Sequence, residues 1–322
     1  MMPHSPLLDP RERHYRIASP VSGLSLFLRH LPPTGRAHAR AVLYVHGATF
    51  PSALSIAHRF DGRSWRDDLA GAGFDVWGLD FLGYGGADRY PEMAEPADAH
   101  EPLGRAPLAA RQIEAAARFI LAHHGVPRLS IVAHSWGTIA TGRFAQDRPD
   151  LVDRLVFFGP IVTREGAGSG DVPPAWRLCS LPDQWSRFVE DVPATAATVL
   201  SERHFAEWGP LYLASAPDSA ERLPASVKVP GGPAADIIAA WSGQMAYDPA
   251  EIAAPLAIIR GEWDSLVPDA DARRLFDRLT ASPVKRDVKI GRATHLMHLE
   301  TGRTALHAET RAFLLGEARS TN

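Results

Sequence analysis

Short apolar runs alternate along the chain with longer segments in which apolar positions recur every three or four residues. The short runs read as strands: Ala41–Val45, Asp75–Leu79, Leu129–Ala133, Arg154–Phe158, Leu256–Ile259 and Val284–Ile290. Ala41-Val42-Leu43-Tyr44-Val45 is apolar on both faces, as a central strand covered by helices on each side must be. The longer segments, Ser64–Ala72, Leu108–His123, Thr138–Asp147, Ala270–Leu279 and Thr304–Gly316, read as amphipathic helices. Ahead of them, His14–Ala18 and Leu24–His30 flank Pro20 and Gly23 and predict an opening antiparallel hairpin. Strand–helix alternation implies a mostly parallel sheet with right-handed crossovers and helices on both faces.

The alternation breaks once. Between Pro160 and Asp248 the sequence is rich in Pro, Trp and short helical patterns, with no convincing strand. A structureless loop of that length is improbable in a compact domain. The pattern predicts a helical cap over residues 160–248, inserted into a core domain made of residues 1–159 and 249–322. No internal repeat or low-complexity tract interrupts it.

Composition narrows the class. The chain has 322 residues, 45% hydrophobic and 22% charged, an ordinary globular balance that needs no disulfide or metal to hold its core. Cys179 is the only cysteine and reads as a small packing residue. A formal net charge of -3 with both signs scattered gives no reason to expect nucleic acid or an anionic membrane as partner. Met1–Pro10 is polar, and no run of about eighteen uncharged apolar residues occurs, so neither a secretory leader nor a membrane anchor is expected and the cytoplasm is the default compartment.

Four segments carry candidate chemistry. In Leu129–Thr138 an apolar strand runs into Ala133-His134-Ser135-Trp136-Gly137 and then a helix. A sharp strand-to-helix turn would present the Ser135 hydroxyl and aim the helix-start amides at a developing oxyanion. The bland alternative is a serine that merely caps a helix. Strand Ala41–Val45 leads into His46-Gly47-Ala48-Thr49, where the amide of Ala48, or that of Thr49, could join the amide of Trp136 in an oxyanion hole. His46, lying before the turn, reads as a brace. After Leu256–Ile259 comes Asp264, placed to orient a catalytic histidine, with Glu262 as its rival. After Val284–Ile290 comes His295, the candidate base, with His298 as its rival.

With these segments in order, the chain resembles the α/β-hydrolase fold family, in its capped serine hydrolase branch, over nearly everything outside 160–248. Trp65 and the run Asp80-Phe81-Leu82-Gly83-Tyr84-Gly85-Gly86 add to the likeness. The resemblance implies an α/β fold with a mostly parallel sheet, nucleophile Ser135, acid Asp264, base His295, and oxyanion amides on Trp136 and Ala48. Ala133 stands where the elbow usually begins with glycine, and the segment from Ala48 to Arg63 is longer than in compact members. A serine nucleophile argues against dehalogenase and epoxide hydrolase chemistry, which need a carboxylate.

The expected reaction is acyl transfer to Ser135 and then to water, with no metal and no cofactor. Activity should fall as pH drops through the pKa of the base, ordinarily about 6.5 for histidine. Trp176, Trp185, Phe188, Trp208, Tyr212 and Trp241 are candidate walls of an apolar substrate pocket, or simply packing residues. No arginine cluster marks an anionic group, which favours a medium-sized apolar or aromatic ester or lactone as the small-molecule substrate. The rivals are a carbon–carbon bond hydrolase on ring-cleavage products, a cofactor-free oxygenase and a non-catalytic binding protein.

Overall fold

A computed structural model describes residues 8–35, 38, 40–166 and 172–316. Residues 1–7, most of the stretch read above as lacking a leader, lie outside the described residues. The strands are β1 (Arg13–Ala18), β2 (Ser25–Leu31), β3 (Ala41–Val45), β4 (Asp75–Asp80), β5 (Leu129–His134), β6 (Val152–Phe158), β7 (Trp176–Ser180), β8 (Ser226–Pro230), β9 (Leu256–Gly261) and β10 (Lys285–Ile290). The helices are α1 (Trp65–Gly71), α2 (Ala106–His124), α3 (Gly137–Asp147), α4 (Leu181–Val189), α5 (Glu202–Leu213), α6 (Gly232–Trp241), α7 (Asp269–Arg278) and α8 (Arg303–Leu315).

Eight strands form one sheet in the order β1-β2-β4-β3-β5-β6-β9-β10. The opening hairpin is antiparallel and β2 pairs antiparallel with β4. From β4 across to β10 every pairing is parallel. After β3 the chain first adds β4 on one side and then crosses to add β5 on the other. The connections leaving β3 and β5 therefore run to opposite sides, the switch point at whose carboxyl edge open α/β sheets place their sites. The register makes that edge flush. Val45 lies opposite Leu79 and Ala133, Ala133 opposite Phe157, and Phe158 opposite Ile259.

Along β3, Leu43 and Val45 enter one apolar layer with Ile113, Ile131 and Trp136. Val42 and Tyr44 enter the opposite layer with Trp65, Val132 and Phe313. This two-residue alternation, apolar on both sides, is why the strand read as a continuous hydrophobic run. Local signals set the helix ends. Ser64 and Asp67 form a reciprocal capping box at α1, and Gly125 closes α2 in the left-handed conformation.

The segment between β6 and β9 departs from the expectation that it holds no strand. Its helices α4, α5 and α6 are joined by an antiparallel ladder in which Trp176 pairs with Pro230 and Ser180 with Ser226. Both strands are five residues long, and β8 ends in a proline. Their pairing joins residues far apart in sequence, so no local period announces it. Among the described residues no helix is long and apolar enough to cross a membrane.

Candidate active site

Ser135 sits between β5 and α3 with φ of +55°, a left-handed conformation that costs an L-residue roughly 1–2 kcal/mol. Three contacts hold it there. Its amide donates to the carbonyl of Phe158 at 3.0 Å, and the Thr138 hydroxyl donates to the Ser135 carbonyl at 2.6 Å. Gly137 lets the first turn of α3 lie against the end of β3. A Cβ there would stand 2.5 Å from the carbonyl oxygen of His46 and 3.0 Å from that of Val45.

The loops after β9 and β10 bring Asp264 and His295 to the same edge. His295 Nε2 lies 2.8 Å from the Ser135 hydroxyl, and its Nδ1 lies 3.0 and 3.1 Å from the two Asp264 carboxylate oxygens. With Nδ1–H donated to the carboxylate, the Nε2 lone pair faces the serine proton. All three side chains are buried. The surroundings fix each member. Leu266 donates its amide to Asp264 at 3.0 Å, and His134 Nε2 donates to the His295 carbonyl at 3.0 Å. Gly159, with φ of +53°, passes close to the pair, where a Cβ would lie 2.9 Å from His295 Nδ1 and 3.3 Å from an Asp264 oxygen. Glu300 accepts from both the amide and the hydroxyl of Thr294, the residue before His295. Burial raises its carboxyl from an ordinary 4.5 to about 7.

The rival residues stand elsewhere. Glu262 is exposed and accepts from the amide of Arg292. His298 is buried edge-on to the His134 ring at 4.7 Å and makes no hydrogen bond to Ser135. Burial holds its pKa well below the usual histidine value.

The turn after β3 faces Ser135. His46 is fully buried; its Nδ1–H donates to the Gly47 carbonyl at 2.7 Å, and its Nε2 accepts from the Phe81 amide at 3.3 Å. The Tyr84 hydroxyl donates to the Ala48 carbonyl at 2.7 Å. Each anchored carbonyl turns the amide across its peptide the other way, so the N–H groups of Ala48 and Thr49 both face away from these anchors. Neither they nor the Trp136 amide have a hydrogen-bond acceptor among the described residues. Those amides are free to receive an oxyanion.

The cavity at Ser135 measures about 10 Å³ and is lined by Gly47, Ala48, Thr49, Phe50, His134, Ser135, Arg187 and Leu296. None of the aromatic residues expected to wall it does so. Trp208 and Tyr212 are buried and stacked on each other at 4.9 Å, and they donate to the carbonyls of Leu54 and Cys179. Trp185 meets Phe205 edge-on, and Phe188 lies edge-on to Trp208. Trp176 lies under Lys228 and donates to the Glu95 carbonyl, while Trp241 lies under the Arg164 guanidinium. Their rings pack the described part of the 160–248 segment onto itself and onto the loops after β3 and β4. Arg187, Phe50 and Leu296 take the positions at the serine instead, and no spacing in the sequence marks them.

A larger cavity of about 740 Å³ lies apart, between Phe27, Pro51, Leu54, Arg89, Leu211 and Ala216, and shares no lining residue with the one at Ser135. Among the described residues one group has donors suited to a metal ion: His30, Asp75 and His124, with ligand-type atoms within 4.8 Å of one another. Asp75 begins β4, so the group lies at the amino edge of the parallel strands, away from Ser135. His124 Nε2 already accepts from Trp77 Nε1 at 3.0 Å.

Comparison with known proteins agrees with this architecture. A family model described as alpha/beta hydrolase fold matches residues 40–301. No curated protein matches the chain. Among solved structures, a serine hydrolase from the polyaromatic hydrocarbon-degrading bacterium Cycloclasticus zankles is 16% identical, with a TM-score of 0.61 over 95% of this chain and 98% of that one. A monoacylglycerol lipase from Paleococcus ferrophilus is 18% identical, with a TM-score of 0.58 over 91% and 99%. An epoxide hydrolase from Vigna radiata is 14% identical, with a TM-score of 0.60 over 95% and 98%. Such likenesses share a fold while their chemistries differ. On the match across most of its length and on its sheet, the chain belongs to the α/β-hydrolase fold family.

Proposed function

We propose that the chain is a serine hydrolase that cleaves a carboxylic ester or lactone through an acyl-enzyme on Ser135. One observation carries this reading: the unbroken hydrogen-bonded series Ser135–His295–Asp264, ending beside amides that have no other acceptor. In the first step Ser135 Oγ bonds to the carbonyl carbon as its proton passes to His295 Nε2. The Trp136 amide and that of Ala48 or Thr49 hold the oxyanion, each such donor typically lowering the barrier by about 2.7–4 kcal/mol. The carbon–oxygen bond to the leaving group then breaks, and His295 returns the proton to that group. Water, deprotonated by the same nitrogen, releases the acid and restores the serine. Asp264 stabilises the imidazolium and keeps its Nδ1–H pointed inward.

A cavity of about 10 Å³ has room for one water at most, whereas ligand pockets usually enclose roughly 300–1,000 Å³. Substrate entry therefore requires the 160–248 segment, read as the cap, to draw back from the loop after β3. The contacts to be broken include the hydrogen bond from Arg187 to the Thr49 hydroxyl. Apolar Phe50 and Leu296 suit an acyl chain of modest size. The test is labelling by a fluorophosphonate probe alongside turnover of p-nitrophenyl butyrate. Ser135→Ala should lose both while keeping the wild-type melting temperature. Undiminished turnover by that variant would rule the assignment out.

A further inference from the structure

Helix α4 carries a cation to the wall of the Ser135 cavity. Arg187 Nη1 donates to the Thr49 hydroxyl at 2.8 Å and to the Gln184 side-chain oxygen at 3.3 Å. Both acceptors are neutral. Among the described residues no carboxylate lies within ion-pair distance of this guanidinium, whereas Arg66, Arg164 and Arg260 each find one and Arg89, the other such case, is met by the carbonyls of Gly85, Ala87 and Ser215. Arg66 pairs with Glu12, Arg164 with Asp271, and Arg260 with Asp269 and Asp287. Glu190, at the end of the same helix, is exposed and lies beyond ion-pair distance, although its charge favours the cation from there. A second cation, Arg177, adds to the positive field and spends its own donor on the Cys179 sulfur at 2.9 Å. Burial and that neighbouring charge both press the Arg187 pKa below the usual guanidinium value. A desolvated guanidinium without a directly paired carboxylate is costly to maintain. Its planar fork matches a carboxylate, and charge-assisted pairs of that kind are among the stronger hydrogen bonds.

We propose that Arg187 is the subsite for a carboxylate on the acyl part of the substrate, so that the enzyme prefers half-esters of dicarboxylic acids to neutral esters of equal length. The hydrogen bond to Thr49 sets the guanidinium on the oxyanion side of Ser135, one residue beyond the Ala48 amide. The leaving group departs on the other side, towards His295 Nε2. An anion entering with the acyl chain supplies the directly paired carboxylate that no described residue provides. The inference departs from the absence of any arginine cluster in the sequence, because one residue brought in by tertiary packing suffices. It rests on the acyl-enzyme reading above.

The test compares mono-p-nitrophenyl glutarate with p-nitrophenyl valerate, each normalised to its rate of hydroxide hydrolysis. Wild-type kcat/KM should favour the glutarate at least tenfold, mostly through KM. Arg187→Gln should lower the glutarate value at least tenfold more than the valerate value, and Arg187→Lys should restore part of the preference. Equal losses on both esters, or no wild-type preference, would overturn the proposal. Free glutarate gives a readout independent of turnover. It should raise the melting temperature of the wild type and leave that of Arg187→Gln unmoved, and no shift in the wild type would also overturn it. Failure of the underlying reading looks different: no fluorophosphonate label and no turnover of either ester.

Discussion

Replacing Gly159 with alanine should separate catalytic geometry from folding. The new Cβ would stand 2.9 Å from His295 Nδ1, 3.0 Å from its Cε1 and 3.3 Å from an Asp264 oxygen, where ordinary contact begins at 3.4 Å. The largest overlap is therefore 3.4 − 2.9 = 0.5 Å, and it falls on the imidazole. The backbone at this position has φ of +53°, which adds roughly 1–2 kcal/mol of strain for alanine. A loss of that size lowers the melting temperature of a large domain by several degrees, at about 2–4 °C per kcal/mol. The imidazole can tilt to relieve the overlap, but its carbonyl is held by His134 and its nitrogens by Ser135 and Asp264, so any tilt breaks register with the hydroxyl. A misplacement of about 1 Å costs on the order of 10²-fold in rate, so half that distance should cost about tenfold. The assay pairs thermal unfolding with kcat/KM on p-nitrophenyl butyrate. Wild-type activity in a folded variant would refute the reasoning, and so would outright failure to fold.

Two further outcomes follow from the same geometry. Asp264→Asn should keep the fold and the fluorophosphonate site yet lower kcat by several orders of magnitude, since an amide no longer holds Nδ1–H towards itself; pre-steady-state acylation rates would show it. Glu300 titrates at about 7 in the folded protein against an ordinary 4.5, so the folded state binds the extra proton in between and stability falls as pH rises from about 4.5 to 7. The full effect is on the order of 3 kcal/mol, and denaturant unfolding at pH 5 and 7.5 should show Glu300→Gln losing less stability over that interval than the wild type. Parallel losses in both proteins would contradict the assignment.

Much of the architecture was legible because it is written in local periodicity. Ala41–Val45 is apolar on both faces and lies between β4 and β5; the predicted hairpin and the other core strands appear within a few residues of their expected ends. The meeting of Ser135, Asp264 and His295 was legible for a related reason. Each follows a strand, and parallel strands in one sheet deliver their loops to one edge whatever their separation in sequence.

What the sequence could not reveal depends on partners that no local pattern names. Trp208 reads equally well as a pocket wall or a packing residue; the carbonyl of Leu54, 154 residues away, decides for packing. The β7–β8 ladder exists only because two short, proline-flanked segments meet. Arg187 looks like any helix-surface arginine until Thr49, 138 residues earlier, accepts its hydrogen bond beside Ser135. Periodicity encodes which face of an element is buried, so the sequence by itself determined the sheet, its helices and the edge at which Ser135, Asp264 and His295 gather. A side chain's particular neighbour is set by how the elements pack, so the walls and charge of the cavity were decided only by the tertiary structure.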